Sequence, residues 1–170
     1  FVRHQVKAFL DYASAHGAIL YYDVNFRASH KGDAERLMPN IRENMGLADI
    51  VRGSHEDFEI LFGLSDGDTV YTSEISPYAQ HFIYTRGGEP AELRTAGRMR
   101  RYAPKPVQTV STIGAGDSFN AGLAYGLIRY GISREQLRQG LSAQQWDKIF
   151  ACAFEFAANV CQSIYNYIDT

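Results

Sequence analysis

The sequence predicts an α/β fold, a mostly parallel sheet flanked by helices with a small hairpin set before the last helices. Two patterns point to it. Early in the chain, helical spacing alternates with short, continuously apolar runs that lack the alternation of half-exposed strands. Later, short strand patterns separated by a glycine turn precede two long helical patterns. The 170 residues suffice for one such layered structure, and 45% of them are hydrophobic and spread along the whole chain, which argues against disorder.

Taken in order, Val2, Val6, Phe9, Leu10 and Ala13 recur at helical spacing, and Gly17 stands where a C-terminal cap belongs. Ala18 to Val24 reads as a buried parallel strand. A polar loop from Asn25 to Gly32 leads to a helix ending near Met45, expected to kink or restart at Pro39. Ala48 to Arg52 is a second strand, and Ser54-His55-Glu56-Asp57 opens a helix with a capping-box pattern. Asp66-Gly67-Asp68 is turn chemistry, and the stretch to Pro77 is a loop or short helix. His81 to Thr85 is a strand, followed by Gly87-Gly88 and two hairpin strands, Ala91–Thr95 and Met99–Ala103. A helix from Ala115 to about Tyr130 carries Phe119, Gly122, Leu123, Gly126, Leu127 and Tyr130 along one stripe. The last helix, about Trp146 to Tyr165, turns Phe150, Ala153, Phe154, Ala157, Cys161 and Ile164 inward.

Composition excludes several functions. A formal net charge of -2 gives no basic field for collecting nucleic-acid phosphates. No apolar run approaches the ~20 residues that cross a bilayer, and the opening residues are not a signal peptide. Cys152 and Cys161 fall on one helix and cannot easily pair, so they read as reduced thiols of a cytoplasmic protein. The five histidines show no metal-ligand spacing, and Asp66-Gly67-Asp68 lacks the other ligands of a calcium loop. The chain opens on Phe1 inside an amphipathic pattern, as if sequence upstream had been removed.

The segment with chemical content is Ser111-Thr112-Ile113-Gly114-Ala115-Gly116-Asp117-Ser118-Phe119. Three small residues let a ligand approach the backbone, and the free N–H groups of a helix's first turn favour an anion there. Asp117 sits in that same turn. A carboxylate would repel a resting phosphate, but it suits a base that takes a proton from a hydroxyl attacking phosphorus. Alone, the tetrad could equally be helix capping; it is not a P-loop, because no Lys-Ser or Lys-Thr follows the glycines.

The longer string Ser111-Thr112-x-Gly114-Ala115-Gly116-Asp117-x-x-x-Ala121-Gly122-Leu123-Ala124 resembles the C-terminal signature of ribokinase-like (PfkB) carbohydrate kinases over fourteen positions. The resemblance implies a three-layer α/β/α fold of ribokinase type. It implies Asp117 as the base and the Gly114, Ala115 and Gly116 amides as an anion hole for the γ-phosphoryl group. Gly122 and Gly126 read as packing residues that let this helix approach the sheet. Asp23-Val24-Asn25-Phe26-Arg27 looks like the Asp-x-Asn-x-Arg element of fructokinases and 2-keto-3-deoxygluconate kinases, which makes Asn25 and Arg27 the substrate contacts. Ligands of open α/β sheets lie beyond the carboxyl ends of the strands, where this element falls. Thr85 and Gly87, in Thr85-Arg86-Gly87-Gly88, resemble the turn beside the nucleotide, and Thr112 and Asn159 complete the expected nucleotide contacts.

Ser54-x-x-Asp57 stands where the family carries Asn-x-x-Glu, which orders water around Mg²⁺. With both residues changed, no metal ligand is assigned; Glu56 and Asp57 are the nearest candidates, and a capping box explains them as well. Ser111 stands where many members have an Asp that helps hold a monovalent cation, which leaves potassium activation without its charge. ATP and Mg²⁺ are the implied cofactors. A small sugar and ATP are the implied partners, with no nucleic acid and no membrane, and a homodimer is compatible.

Members of the family are roughly twice as long, by the usual range for large α/β folds, so residues 1–170 read as the C-terminal, nucleotide-binding part of a single carbohydrate-kinase domain. The N-terminal part, with the lid and most of the sugar site, is absent, and the chain alone is expected to be inactive. Three readings compete: an ATP-dependent kinase of a ketose or sugar acid, a kinase of a nucleoside or other small alcohol, and a catalytically idle nucleotide- or sugar-binding domain. Asp117 speaks against the third, since nucleotide binding gains nothing from an acid at the anion site.

Overall fold

The computed structural model describes residues 2–95 and 97–164. They form two compact units that divide after Arg101. The first holds α1 (Val2–Ala15), β1 (Tyr21–Asp23), α2 (Ala34–Leu47), β2 (Ile50–Ser54), α3 (His55–Phe62), α4 (Gly67–Val70), β3 (His81–Thr85), β4 (Ala91–Thr95) and nearly all of β5 (Arg98–Tyr102). A 3₁₀ segment, Ala28–Asp33, precedes α2, and a π-helical turn, Tyr71–Ile75, follows α4. The second unit holds three helices, α5 (Ala115–Arg129), α6 (Arg134–Gln139) and α7 (Ala143–Cys161).

The strands form one sheet in the order β1-β2-β3-β4-β5. β1, β2 and β3 are parallel, with Asp23 opposite Arg52 and Ser54 opposite Thr85, while β4 returns antiparallel along β3. The expected mixed sheet with a hairpin is therefore present. One face packs on the helices through Val24, Val51, Phe82 and Tyr84 against Met45, Phe58 and Val70. Each such side chain taken from water contributes on the order of 2 kcal/mol.

Several boundaries differ from the sequence expectation. β1 covers three residues, because only Tyr21, Tyr22 and Asp23 find ladder partners on β2. α2 runs unbroken through Pro39. The proline costs one backbone bond, but it lies exposed while Ile41 and Met45, in the turns that follow, are buried and hold the helix in place. The segment after Gly63 becomes α4 because the Asp66 carboxylate caps the Thr69 amide. α6 was not anticipated; Ser133 and Gln136 close a full capping box at its start. The last helix ends at Cys161, so Ile164 lies beyond it and is exposed; Tyr165 falls outside the described residues. The apolar stripe of α1 is not covered: Val2, Val6 and Phe9 are all exposed, and the helix buries no residue.

In the second unit α5 packs on α7. A Cβ on Gly122 would lie 2.5 Å from the Cys152 carbonyl oxygen and 2.7 Å from the Ala153 Cα. Gly126 meets Ile149 in the same way, with a Cβ 3.0 Å from its Cα. The two glycines thus bring helix to helix, where the sequence had suggested helix to sheet. Cys152 and Cys161 are both free.

Candidate active site

Asn25 and Arg27, expected to contact substrate, follow the C-terminal end of β1, and Thr85 and Gly87, expected at the nucleotide, lie at that of β3. Along Val24-Asn25-Phe26-Arg27 the chain alternates, with Val24 and Phe26 buried and Asn25 and Arg27 exposed. Asn25 has φ +42°, the one non-glycine residue with positive φ among those described. Asparagine tolerates this conformation better than most residues, and such backbone strain concentrates at functional sites. The turn is held from both sides. The Val24 amide donates to the Arg52 carbonyl at 2.9 Å, and the Phe26 amide donates to Asp57 Oδ1 at 2.7 Å.

Asp57 is buried, and its other oxygen accepts from the Ser54 amide at 2.6 Å and the Ser54 hydroxyl at 2.7 Å. The Asp57 amide donates back to Ser54 Oγ, closing the capping box of α3. Three donors therefore occupy its carboxylate. Glu56, one residue earlier in the same turn, is exposed. Among the described residues no group of three or more His, Cys, Asp or Glu side chains could hold a metal ion.

At the end of β3, Gly87 has φ +50° and the Glu89 amide closes the turn onto the Arg86 carbonyl at 2.9 Å. Thr85 Oγ1 accepts from Arg52 Nη2 at 2.7 Å, and Arg52 Nη1 reaches Asp23 Oδ1 at 3.0 Å. Arg52 was not anticipated as a site residue. The available signal was an arginine following Ile50 and Val51 inside the strand.

In the second unit the loop before α5 is shaped by Gly114, the N-cap, at φ +80°. A glycine cap has no side chain, so the first turn of α5 lacks the capping acceptor that Ser54, Ser133 and Ser142 supply to α3, α6 and α7. The Ala115 amide donates to the Thr112 carbonyl at 3.2 Å. Among the described residues the Gly116 and Asp117 amides find no backbone acceptor. Unpaired N–H groups at the positive end of a helix form an anion site. Asp117, the third helical residue, is exposed.

The strand-like approach to the loop is tied down, since the Val110 and Ser111 amides both donate to the Cys161 carbonyl, at 2.7 and 3.2 Å. This brings the last turn of α7 beside that approach. Asn159 lies on this turn and is exposed, with its carbonyl capped by the Gln162 amide at 3.3 Å. Thr112 is exposed as well.

The family model for pfkB family carbohydrate kinases matches residues 4–168. The chain belongs to that family. Members of this kinase family are phosphotransferases that act on sugar hydroxyls. Fructokinase from Escherichia coli is 29% identical over 121 residues, covering 71% of this chain and 39% of the relative. A protein named 5-dehydro-2-deoxygluconokinase 1, from Bacillus cereus, is 27% identical over 136 residues, covering 75% and 40%. The structure of fructokinase from Vibrio cholerae with fructose, ADP and calcium superposes with a TM-score of 0.79 at 21% identity, over 96% of this chain and 51% of that one. That likeness shows the ribokinase-like fold. This chain spans about half the length of these relatives or less, so it forms part of the family domain. Among its described residues no helix is long and apolar enough to cross a membrane.

Proposed function

We propose that this chain is the nucleotide-binding part of an ATP-dependent sugar kinase, with Asp117 as its base. The supporting observation is the start of α5, where uncapped amides stand next to an exposed carboxylate. The Gly116 amide, with those of Gly114 and Ala115 once Ala115 gives up its 3.2 Å bond to the Thr112 carbonyl, stabilises the charge that spreads over the γ-phosphoryl oxygens. Asp117 takes the proton of the acceptor hydroxyl as its oxygen attacks the γ-phosphorus. A new P–O bond forms, the bond to the β-phosphate oxygen breaks, and ADP leaves. Thr85, Gly87, Thr112 and Asn159 bind the nucleotide, and Asn25 and Arg27 face the acceptor. Mg²⁺ neutralises the phosphates when bound, with Glu56 the free carboxylate available to its water shell.

Fructose and a keto-deoxy sugar acid are the acceptor types this reading favours. Arg27 is exposed at a strand end and forms no ion pair among the described residues, which favours the sugar acid. The test is ADP release by the full-length protein over a panel of ketoses, sugar acids and nucleosides, with Asp117→Asn alongside. Loss of a required base slows turnover by about 100-fold or more. Near-wild-type turnover in that variant overturns the assignment of Asp117.

A further inference from the structure

Arg52 lies in the middle of β2, between β1 and β3, and is 8% exposed. Its strand neighbours Ile50 and Val51 are fully buried. An arginine in such a place gives up its hydration, and stability alone is better served there by an apolar side chain. Its guanidinium forks across the sheet to Asp23 on one side and Thr85 on the other, and its Nε has no partner. The two anchors are not equivalent. Asp23 stands two residues before the strained Asn25, whereas Thr85 begins the turn that contains Gly87.

Arginine only donates hydrogen bonds, so the Thr85 hydroxyl must accept from it. Its own proton is thereby left to point onward to an acceptor. The bond to Asp23 is charge-assisted and fixes the direction in which β1 enters the Asn25 turn. We propose that Arg52 is a positioning residue that holds the acceptor-side loop, with Asn25 and Arg27, and the nucleotide-side turn, with Thr85 and Gly87, at one fixed spacing. It acts through Asp23 and Thr85 and touches neither substrate. The role rests on the sugar-kinase reading above.

The experiment uses full-length protein, wild type and Arg52→Met, with KM for acceptor and ATP, kcat, unfolding midpoints and hydrogen exchange by mass spectrometry. The expected result is that both KM values rise about fivefold or more while kcat falls less, since small displacements of binding groups are costly. Exchange accelerates in the peptides that carry Asn25–Arg27 and Arg86–Gly88. In a Thr85→Val background, Arg52→Met adds less than about twofold to the ATP KM, because coupled residues are not additive. Asp23→Asn, which keeps the shape of its side chain, raises the acceptor KM and spares that for ATP, and it carries the test should Arg52→Met not fold. A fall in the unfolding midpoint with unchanged KM values and unchanged exchange overturns the proposal. Wild-type protein that phosphorylates no sugar overturns the sugar-kinase reading instead, and the exchange comparison then still decides whether Arg52 orders both segments.

Discussion

The Asp57 carboxylate accepts the backbone N–H of Phe26 at 2.7 Å, joining the start of α3 to the turn that exposes Asn25 and Arg27. One side chain thus serves as a helix cap and as a clamp on the candidate substrate loop. Asp57→Ala leaves Ser54 as the N-cap but removes the acceptor of the Ser54 and Phe26 amides, at a combined cost of about 3 kcal/mol. Glu56→Ala, one residue away and exposed, changes stability by less than about 0.5 kcal/mol. Urea unfolding of the two variants separates them.

Glycines 122 and 46 give substitutions of opposite sign. A methyl at Gly122 meets the backbone of α7 at 2.5 Å, and backbone cannot rotate away as a side chain can, so Gly122→Ala costs about 1–3 kcal/mol. At Gly46, near the end of α2, the nearest atom to a new Cβ is 3.9 Å away, and Gly46→Ala stabilises by up to about 1 kcal/mol through helix propensity. Thermal melts of both variants check the pair.

How much of this was legible in the sequence depends on where the deciding interaction lies. The strands His81–Thr85 and Ala91–Thr95 were read to the residue, because turn residues bound them and their side chains suit a sheet. The capping box at Ser54 and Asp57 was read too, since its partners are three residues apart. What that spacing could not show is the third bond, from Asp57 to Phe26 across 31 positions. Arg52 was missed for the same reason, as both of its partners are on other strands. α6 was missed because Arg134-Glu135-Gln136-Leu137-Arg138-Gln139 has one apolar residue and no periodicity to detect. The exposed stripe of α1 was visible as a pattern, but sequence cannot say whether anything covers it.

That stripe gives a prediction of its own. Val6 is 43% and Phe9 67% exposed, so Val6→Lys and Phe9→Glu remove little buried area and shift stability by less than about 0.5 kcal/mol. They also break up an exposed apolar surface of the kind that promotes association. Sedimentation of the 170-residue chain and of the double variant is the measurement. Equal stability with less self-association is the expected pair of results.

His81 makes stability depend on pH. It is buried at the start of β3, with Nδ1 3.1 Å from the Asp49 carbonyl oxygen. Burial pushes its pKa below the ordinary 6.5, outweighing the opposing pull of Asp49. The folded chain therefore keeps the ring neutral, while the unfolded chain takes up a proton as pH falls through 6.5. Below that point the unfolded state binds more protons, so stability declines with falling pH until the folded ring also protonates. Above pH 7.5 the contribution is complete and flat. The difference in urea midpoint between wild type and His81→Phe, followed from pH 7.5 to 5, isolates this from other titrations. A difference that stays constant over the range rules the buried neutral ring out.

With Arg27 as the proposed acceptor contact, charge separates the two proposed acceptor types. Arg27 is exposed in the loop after β1, so its attraction for a carboxylate is screened by salt over about 8–10 Å at ordinary ionic strength. A neutral ketose has no formal charge to lose. In the full-length protein, the KM for a keto-deoxy sugar acid should climb as salt rises, while that for fructose stays flat. Arg27→Ala removes the slope and raises the sugar-acid KM by about tenfold, the worth of one charge-assisted pair. Arg27→Lys keeps the charge without the planar fork and retains the salt slope, because the slope reports charge while the paired geometry sets the affinity. A sugar-acid KM indifferent to salt in the wild type assigns Arg27 another task and leaves fructose as the favoured acceptor.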